Sequence, residues 1–328
     1  MFSCARWFCF FLVSALPATN ALAQIAFEWP VACKLGETCA VQHYVDRDSG
    51  PAAQDYKCGT GTYDTHNGTD IRLRSMAAQA AGVDVLAAAP GRVLRTRSDM
   101  RDISVKATGA PSVEGRACGN GVVIAHEDGW ETQYCHMAEG SIQVKPGDTI
   151  AVGEAIGRIG LSGESEYPHL HFTVRRQGKL VDPFDHDGEP AACGNGRSLW
   201  STKVQADYTY RAGEVLNAGF SAGAVTMADI DAGIDGKTPG REAAALVAYV
   251  RAIGLRKGDV QRLSLAGPDG QRITDSAAPP LDNNKAQYMM FAGKKRPGSE
   301  WPAGEYVATY GVTRAGQVVL EKRFSLKL

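Results

Sequence analysis

No charge of one sign dominates this chain. Lysine and arginine total 35 against 36 aspartates and glutamates, a formal net charge of −1 over 328 residues. There is no Lys/Arg tract and no basic stripe interleaved with aromatics, so binding to nucleic acid has no support. Beyond the N-terminus no apolar run is long enough to span a bilayer. Internal repeats, low-complexity tracts and long helical periodicities are also missing. Histidine is scarce, at seven residues, which makes the placement of each one informative. With 44% hydrophobic and 22% charged residues, the remainder reads as a globular protein of about two domains.

Met1 to Ala23 has the layout of a secretory signal. Arg6 is the positive n-region, Trp7 to Leu16 the apolar stretch, and Ala21-Leu22-Ala23 a small-residue cleavage site before Gln24. No cysteine stands in a lipid-attachment pattern at that site. The expectation is an exported protein, periplasmic or extracellular, with no membrane span after signal removal. Cysteine usage agrees with export. Cys33, Cys39, Cys58, Cys118, Cys135 and Cys193 remain after cleavage, and an even number suggests three disulfides, with 15 connectivities open. The short Lys34-Leu35-Gly36 loop favours Cys33–Cys39. Cys118–Cys135 and, by elimination, Cys58–Cys193 complete the preferred set. The second pair carries a difficulty: if Val122 to Ala125 pairs with Thr132 to Cys135, Cys118 lies beyond its partner and the chain must fold back.

Four further segments follow the signal. Residues 24–59 are a disulfide-bearing lead-in without clear periodicity, in which His43 reads as structural. Residues 60–185 show short strands and tight turns. Val83 to Ala89 is followed by the turn signal Pro90-Gly91, and Val122 to Ala125 leads through Asp128-Gly129 to Trp130-Glu131-Thr132-Gln133-Tyr134. Met100 to Ala117 is a long polar insertion of the kind that borders binding clefts. Residues 186–204 read as a linker by their Gly and Pro content. Residues 205–328 alternate as strands with the turn spacing of an immunoglobulin-like β-sandwich. That last segment holds no histidine and no acidic cluster of catalytic type. The expected fold class is therefore mainly β throughout.

Three stretches carry the chemistry. In Pro168-His169-Leu170-His171-Phe172 the neighbouring Phe, Thr and Val favour a strand, so His169 and His171 share a face. Such a pair can supply a metal ligand and a proton-transfer group together. His66-Asn67-Gly68-Thr69-Asp70 sets an imidazole and a carboxylate four residues apart with a glycine between them. Zinc accepts such N and O donors. Tyr134-Cys135-His136-Met137 ends a strand with a third histidine. Each stretch alone is more commonly a surface loop or a structural histidine. Together they hold four of the seven histidines, all in strand or loop-end positions.

In this order the three stretches resemble the lysostaphin/LytM-type zinc metallopeptidases, peptidase family M23. The resemblance extends through Gly119-Asn120-Gly121, His126-Glu127-Asp128-Gly129, Val144 to Asp148, Gly153 to Gly157 and Val181-Asp182-Pro183, so it covers roughly residues 60 to 185. It implies a LytM-like antiparallel sheet with His66, Asp70 and His171 holding one Zn2+ per chain and a fourth position left open. It further implies His169 as the base that takes a proton from the attacking water, and His136 as the group facing the oxyanion. The implied activity is a metalloendopeptidase acting on peptidoglycan peptides of the cell wall. A competing reading is a non-catalytic LytM-type regulator that binds and activates a cell-wall amidase. Such members lack the ligands that are all filled here. A third reading places the function in the C-terminal sandwich as a wall-binding unit. One departure stands out: the loop Leu161 to Pro168 lacks the family's usual glycine before the proline, and Tyr167 would enlarge the cleft wall. His126 reads as structural and His186 as a surface residue.

Overall fold

The computed structural model describes Met1, residues 25–233 and residues 238–328. The expected export signal lies outside the described residues apart from Met1. Strand accounts for 41% of the chain and helix for 10%, in keeping with the mainly β expectation.

The first unit contains β1 (Cys39–His43), β2 (Thr69–Leu73), β3 (Asp84–Leu86), β4 (Gly91–Arg97), β5 (Asn120–Ala125), β6 (Trp130–Met137), β7 (Thr149–Ile150), β8 (Ala155–Arg158), β9 (His169–Arg176) and β10 (Lys179–Val181). The main sheet runs β1-β2-β9-β6-β5-β4-β7, with β10 folded back on β9, and β3 pairs with β8 apart from it. All these pairings are antiparallel. The Asp128-Gly129 turn joins β5 to β6, with both residues at positive φ (55° and 73°), as a tight hairpin requires. Alternation decides which face each side chain takes. Leu170, Phe172 and Val174 of β9, Ile71 and Leu73 of β2, and Trp130 and Tyr134 of β6 are buried in one hydrophobic core. The opposite faces of the same strands line the cleft described below.

The lead-in is more than a disulfide-tethered appendage. Its β1 extends the main sheet beside β2, and Phe27 is fully buried in the first core. All three preferred disulfides are present. The reversal required before Cys135 occurs at Gly119, whose φ is +65° and where a Cβ would meet the backbone of Ser162 at 2.4 Å. Residues 186–204 differ from the expected linker. Leu199, Trp200 and Val204 are buried in the first core, and a short helix, Thr202–Asp207, begins within the segment. The Gly/Pro-rich composition of 188–196 marked a turn-rich surface loop, and the aromatic and aliphatic residues after it provide the anchor.

The second unit is two antiparallel sheets over a separate core. One joins β11 (Glu214–Ser221), β12 (Ala245–Leu255) and β15 (Lys285–Lys295). The other joins β14 (Arg272–Ala277), β13 (Val260–Ala266), β16 (Glu305–Arg314) and β17 (Gln317–Lys327). Leu246, Val250, Leu263, Leu265, Tyr306 and Tyr310 are among the residues that fill the space between them.

The two units meet along a polar seam. Arg251 of β12 is fully buried. It is ion-paired with Asp231 and donates to Asn217 at 2.9 Å and to the Arg74 carbonyl at 2.7 Å. Arg74 donates in turn to the carbonyls of Leu216 and Gly36. Gln42 of β1 donates to the carbonyl of Ala286 at 2.8 Å. Ala40, Leu216 and Ile253 form a small apolar cluster beside these bonds.

Candidate metal centre

β2 and β9 are paired so that Asp70 stands opposite His171 and Arg72 opposite His169. β6 lies on the other side of β9, with Cys135 opposite His171. The register alone therefore brings Asp70, His171 and His169 onto one patch. His66 enters from the loop before β2. Gly68 is required there for space: a Cβ would lie 2.5 Å from Nε2 of His171 and 2.9 Å from the Phe172 carbonyl.

The three expected ligand residues converge. His66 Nε2 lies 3.2 Å from Asp70 Oδ1 and 3.3 Å from His171 Nδ1, and Asp70 Oδ1 is 2.9 Å from that same Nδ1. Donors bound tetrahedrally at ~2.0–2.1 Å would stand roughly 3.3 Å apart, close to the observed edges. The outer hydrogen bonds say what these atoms carry. His66 donates its Nδ1–H to the Tyr44 carbonyl at 2.6 Å, which turns the Nε2 lone pair inward. The Nε2–H of His171 points to Asn67 Oδ1 at 3.0 Å and Thr173 Oγ1 at 3.1 Å, leaving Nδ1 as the inward lone pair. Asp70 adds a carboxylate oxygen, while its other oxygen accepts from His43 Nδ1 at 3.1 Å. Three acceptors facing one another repel unless a cation fills the point between them, so this donor set fits a divalent metal.

His136 and His169 flank the ligand set, their rings 4.6 Å apart. His169 donates its Nδ1–H to the Tyr167 carbonyl at 2.9 Å, and His136 donates to the Ser162 carbonyl at 2.8 Å. Each thus keeps an Nε2 lone pair for the cleft. Simple alternation would place His136 on the core side with Tyr134. A bulge opposite Gly121, where two residues of β6 face one of β5, and a positive φ of 61° turn it into the cleft instead. The backbone N–H of His136 donates to the Cys118 carbonyl at 2.8 Å, so the fold-back beside the Cys118–Cys135 disulfide braces this conformation.

Electrostatics sort the groups by role. Burial would raise the Asp70 carboxyl, but the surrounding imidazoles, His66 and His169 foremost, hold it well below its usual range. Burial opposes the cation of His66, yet the adjacent Asp70 charge outweighs it and raises the group overall. Burial, reinforced by repulsion from His169 and His171, pushes His136 well below its ordinary value. Burial likewise holds His169 down to about 4, despite the pull of Asp70. Both flanking imidazoles are therefore neutral at pH 7 and able to accept a proton.

The cleft around these groups is about 640 Å³. Glu164, Glu166 and Tyr167 form its wall at the start of β9, and Val105 and Ala117 bring in the 100–117 insertion. Gln133, Thr173 and Arg175 continue the floor, and Ala286 of the second unit touches its edge. Sequence reasoning missed His43. It was read as structural, yet it stands opposite Asp70 on β1, bonds to that carboxylate and lines the cleft. Nothing local to His43 signals this, because the pairing of β1 with β2 is long-range. Arg72 was missed as well. Its guanidinium sits 4.0 Å over the Tyr167 ring, and that ring lies 4.8 Å from His169. His126 bonds to the Pro90 carbonyl and Thr132 Oγ1 away from the ligand set, in line with the structural reading.

On this antiparallel sheet, three residues that could hold a metal ion thus stand beside two neutral imidazoles. Residues 64–183 match the family model described as Peptidase family M23. Among curated relatives, the chain is 30% identical over 128 residues to the peptidoglycan DD-endopeptidase ShyB of Vibrio cholerae, covering 39% of this chain and 24% of ShyB. It is 39% identical over 71 residues to the cell division protein DipM of Caulobacter vibrioides, covering 20% of this chain and 11% of DipM. The chain thus spans well under a third of the length of either. Among solved structures, the catalytic domain of the prophage-encoded M23 protein EnpA from Enterococcus faecalis is 26% identical, with 44% of this chain and 92% of that chain covered and a TM-score of 0.30.

Proposed function

We propose that this chain is a zinc-dependent endopeptidase that hydrolyses peptide bonds of bacterial cell-wall peptidoglycan. His66, Asp70 and His171 would hold one Zn2+. The observation that carries the reading is the inward convergence of three lone pairs, fixed by outer hydrogen bonds, beside two neutral imidazoles whose free nitrogens face the same cleft. Zinc at that point supplies Lewis-acid polarisation of a peptide carbonyl and a water that ionises near neutral pH. His169 accepts the proton of the attacking water at Nε2, its Nδ1–H anchored on Tyr167. His136 faces the carbonyl oxygen. Its Nε2 becomes a donor only after taking up a proton, which a developing negative charge beside it favours and its burial otherwise opposes. The surrounding imidazoles, His66 and His169 foremost, keep the Asp70 carboxylate ionised, and His43 aligns it through its other oxygen. The three disulfides accord with export to a periplasmic or extracellular setting, and no helix among the described residues is long and apolar enough to cross a membrane.

The test is metal analysis of the pure protein with a turbidity assay on purified sacculi. Stoichiometric zinc, lysis stopped by a chelator and restored by Zn2+, and loss of lysis in His169→Ala are the expected results. The second reading, a non-catalytic regulator of a cell-wall amidase, draws on the likeness to DipM. A metal-free protein that leaves sacculi intact and accelerates an added amidase would replace the first reading with this one.

A further inference from the structure

The floor of the cleft continues past the ligand set. His169, His171, Thr173 and Arg175 occupy one face of β9, because alternate residues of a strand point the same way. Arg175 is four residues from His171, about 13 Å along the strand at ~3.3 Å per residue. Its guanidinium donates to Gln133 Oε1 at 2.8 Å. The Gln133 amide nitrogen rests 3.3 Å from both sulfurs of the Cys118–Cys135 disulfide. A covalently immobilised wall therefore braces one edge of the guanidinium and leaves its remaining N–H donors free for the cleft.

Arg47, Arg251 and Arg314 each have a carboxylate partner in Asp185, Asp231 and Asp259. Arg175, half-buried, is ion-paired with no carboxylate among the described residues, although Glu131 stands opposite it on β6. A partly desolvated guanidinium without a counter-ion is poised for an anion, and its planar fork matches a carboxylate in two-point contact. At the other end of the cleft, in the loop that leads into β9, Glu164 is exposed and has no ion pair among the described residues. Glu164 and Arg175, neither ion-paired among the described residues, thus stand at opposite ends of the cleft, with Glu131 across from Arg175 on β6.

We propose that Arg175 is a carboxylate-binding subsite that recognises a free carboxylate on the substrate, about three to four residues from the bond that is cut. Glu164 repels the same group from the opposite end, so an anionic peptide enters the cleft in one direction. The subsite rests on the peptidase reading above and extends it to a substrate class, peptides bearing a free carboxylate on one arm.

The test uses cross-linked stem-peptide dimers purified from sacculi, beside the same dimers with their carboxylates converted to methylamides. Each is given to the zinc-loaded full-length protein as wild type, Arg175→Lys and Arg175→Met. Wild type is expected to favour the free-carboxylate dimer by roughly 10- to 100-fold, through KM with little change in kcat, as suits a charge-assisted contact remote from the reacting bond. The preference shrinks in Arg175→Lys, which keeps the charge and loses the fork, and disappears in Arg175→Met. Equal handling of the two dimers by wild type overturns the subsite, and so does a preference that survives in Arg175→Met. Should Arg175→Met fail to fold, wild type and Arg175→Lys carry the comparison. If no dimer is cleaved under any condition the peptidase reading falls. Calorimetric binding of the same two dimers to wild type and Arg175→Lys then still decides the subsite, by whether the carboxylate preference is present and weakens in the variant.

Discussion

β9 and β12 are the two strands that hold their respective sheets together, and each carries an arginine on the face turned away from its core. On β12 that face is closed. Arg251 is saturated by Asp231, Asn217 and the Arg74 carbonyl, while Tyr249 is covered by Val225 and Ile230. On β9 the corresponding face is recessed and open along its length, and it presents His169, His171, Thr173 and Arg175 to the cleft. Both are inner strands of antiparallel sheets. The difference lies in what covers the second face: another part of the chain in one case, solvent and incoming substrate in the other. A buried polar row with every partner supplied internally joins two units. A row with lone pairs and donors left over is a site.

That contrast can be broken at several points. The largest effect is expected from Asp70→Ala, which removes the anionic member of the converging set. Stoichiometric zinc in wild type should fall below detection in the variant on metal analysis, a loss exceeding the roughly 10- to 100-fold typical of an outer partner, such as Asn67→Ala. His136→Ala should keep the metal and lose about 10²- to 10⁴-fold in turnover on sacculi. Equal zinc loss in the two variants would mean that the ligand and proton-transfer groups have been exchanged.

A smaller effect concerns a buried carboxyl outside the cleft. Burial pushes Asp182 up to about 7, and its Oδ2 has no hydrogen-bond partner among the described residues. The folded state therefore binds a proton that the unfolded state, with a carboxyl near ~3.9, releases. Stability falls as pH rises from about 4 to 7, and the penalty is full above that range. Asp182→Asn should raise the thermal midpoint at pH 8, by an amount bounded by roughly 4 kcal/mol at 1.36 kcal/mol per unit, and leave it little changed below pH 4. A midpoint difference independent of pH would show that ionisation of Asp182 is not the cause.

The smallest expected effect sits in the seam. Asp231→Asn leaves Arg251 and Arg72 without their shared carboxylate. The carboxylate is partly exposed, so the cost should be about 1–2 kcal/mol in denaturant unfolding, below the value for a fully buried pair. Because Arg72 supports the Tyr167 ring beside His169, turnover should drop alongside. Unchanged turnover with lowered stability would confine the seam to a purely structural role.

Much of the site was legible in the linear chain. The HxH of β9 announces its shared face through strand alternation, and the His-x-x-x-Asp spacing announces a second pair of donors. The strand boundaries around 122–137 follow from β-propensity and the Asp-Gly turn. Other features left no local mark. His43 reaches Asp70 only because β1 docks beside β2. His136 reaches the cleft only because a bulge and a left-handed backbone reverse the alternation that would bury it beside Tyr134. Leu199, Trp200 and Val204 join the first core although the stretch before them has a linker's composition. Each of these depends on contacts between residues far apart in sequence, where neither propensity nor periodicity carries information.

By itself the chain determined the chemistry at hand: which imidazoles and carboxylates exist, their order, the strand alternation that pairs them, and the cysteines that tie the loops. Register, bulges and the covering of one face by another unit were decided only in three dimensions. Side-chain identity is a local property, whereas the direction of a lone pair and the solvent access of an arginine are set by neighbours brought together from the whole length of the fold.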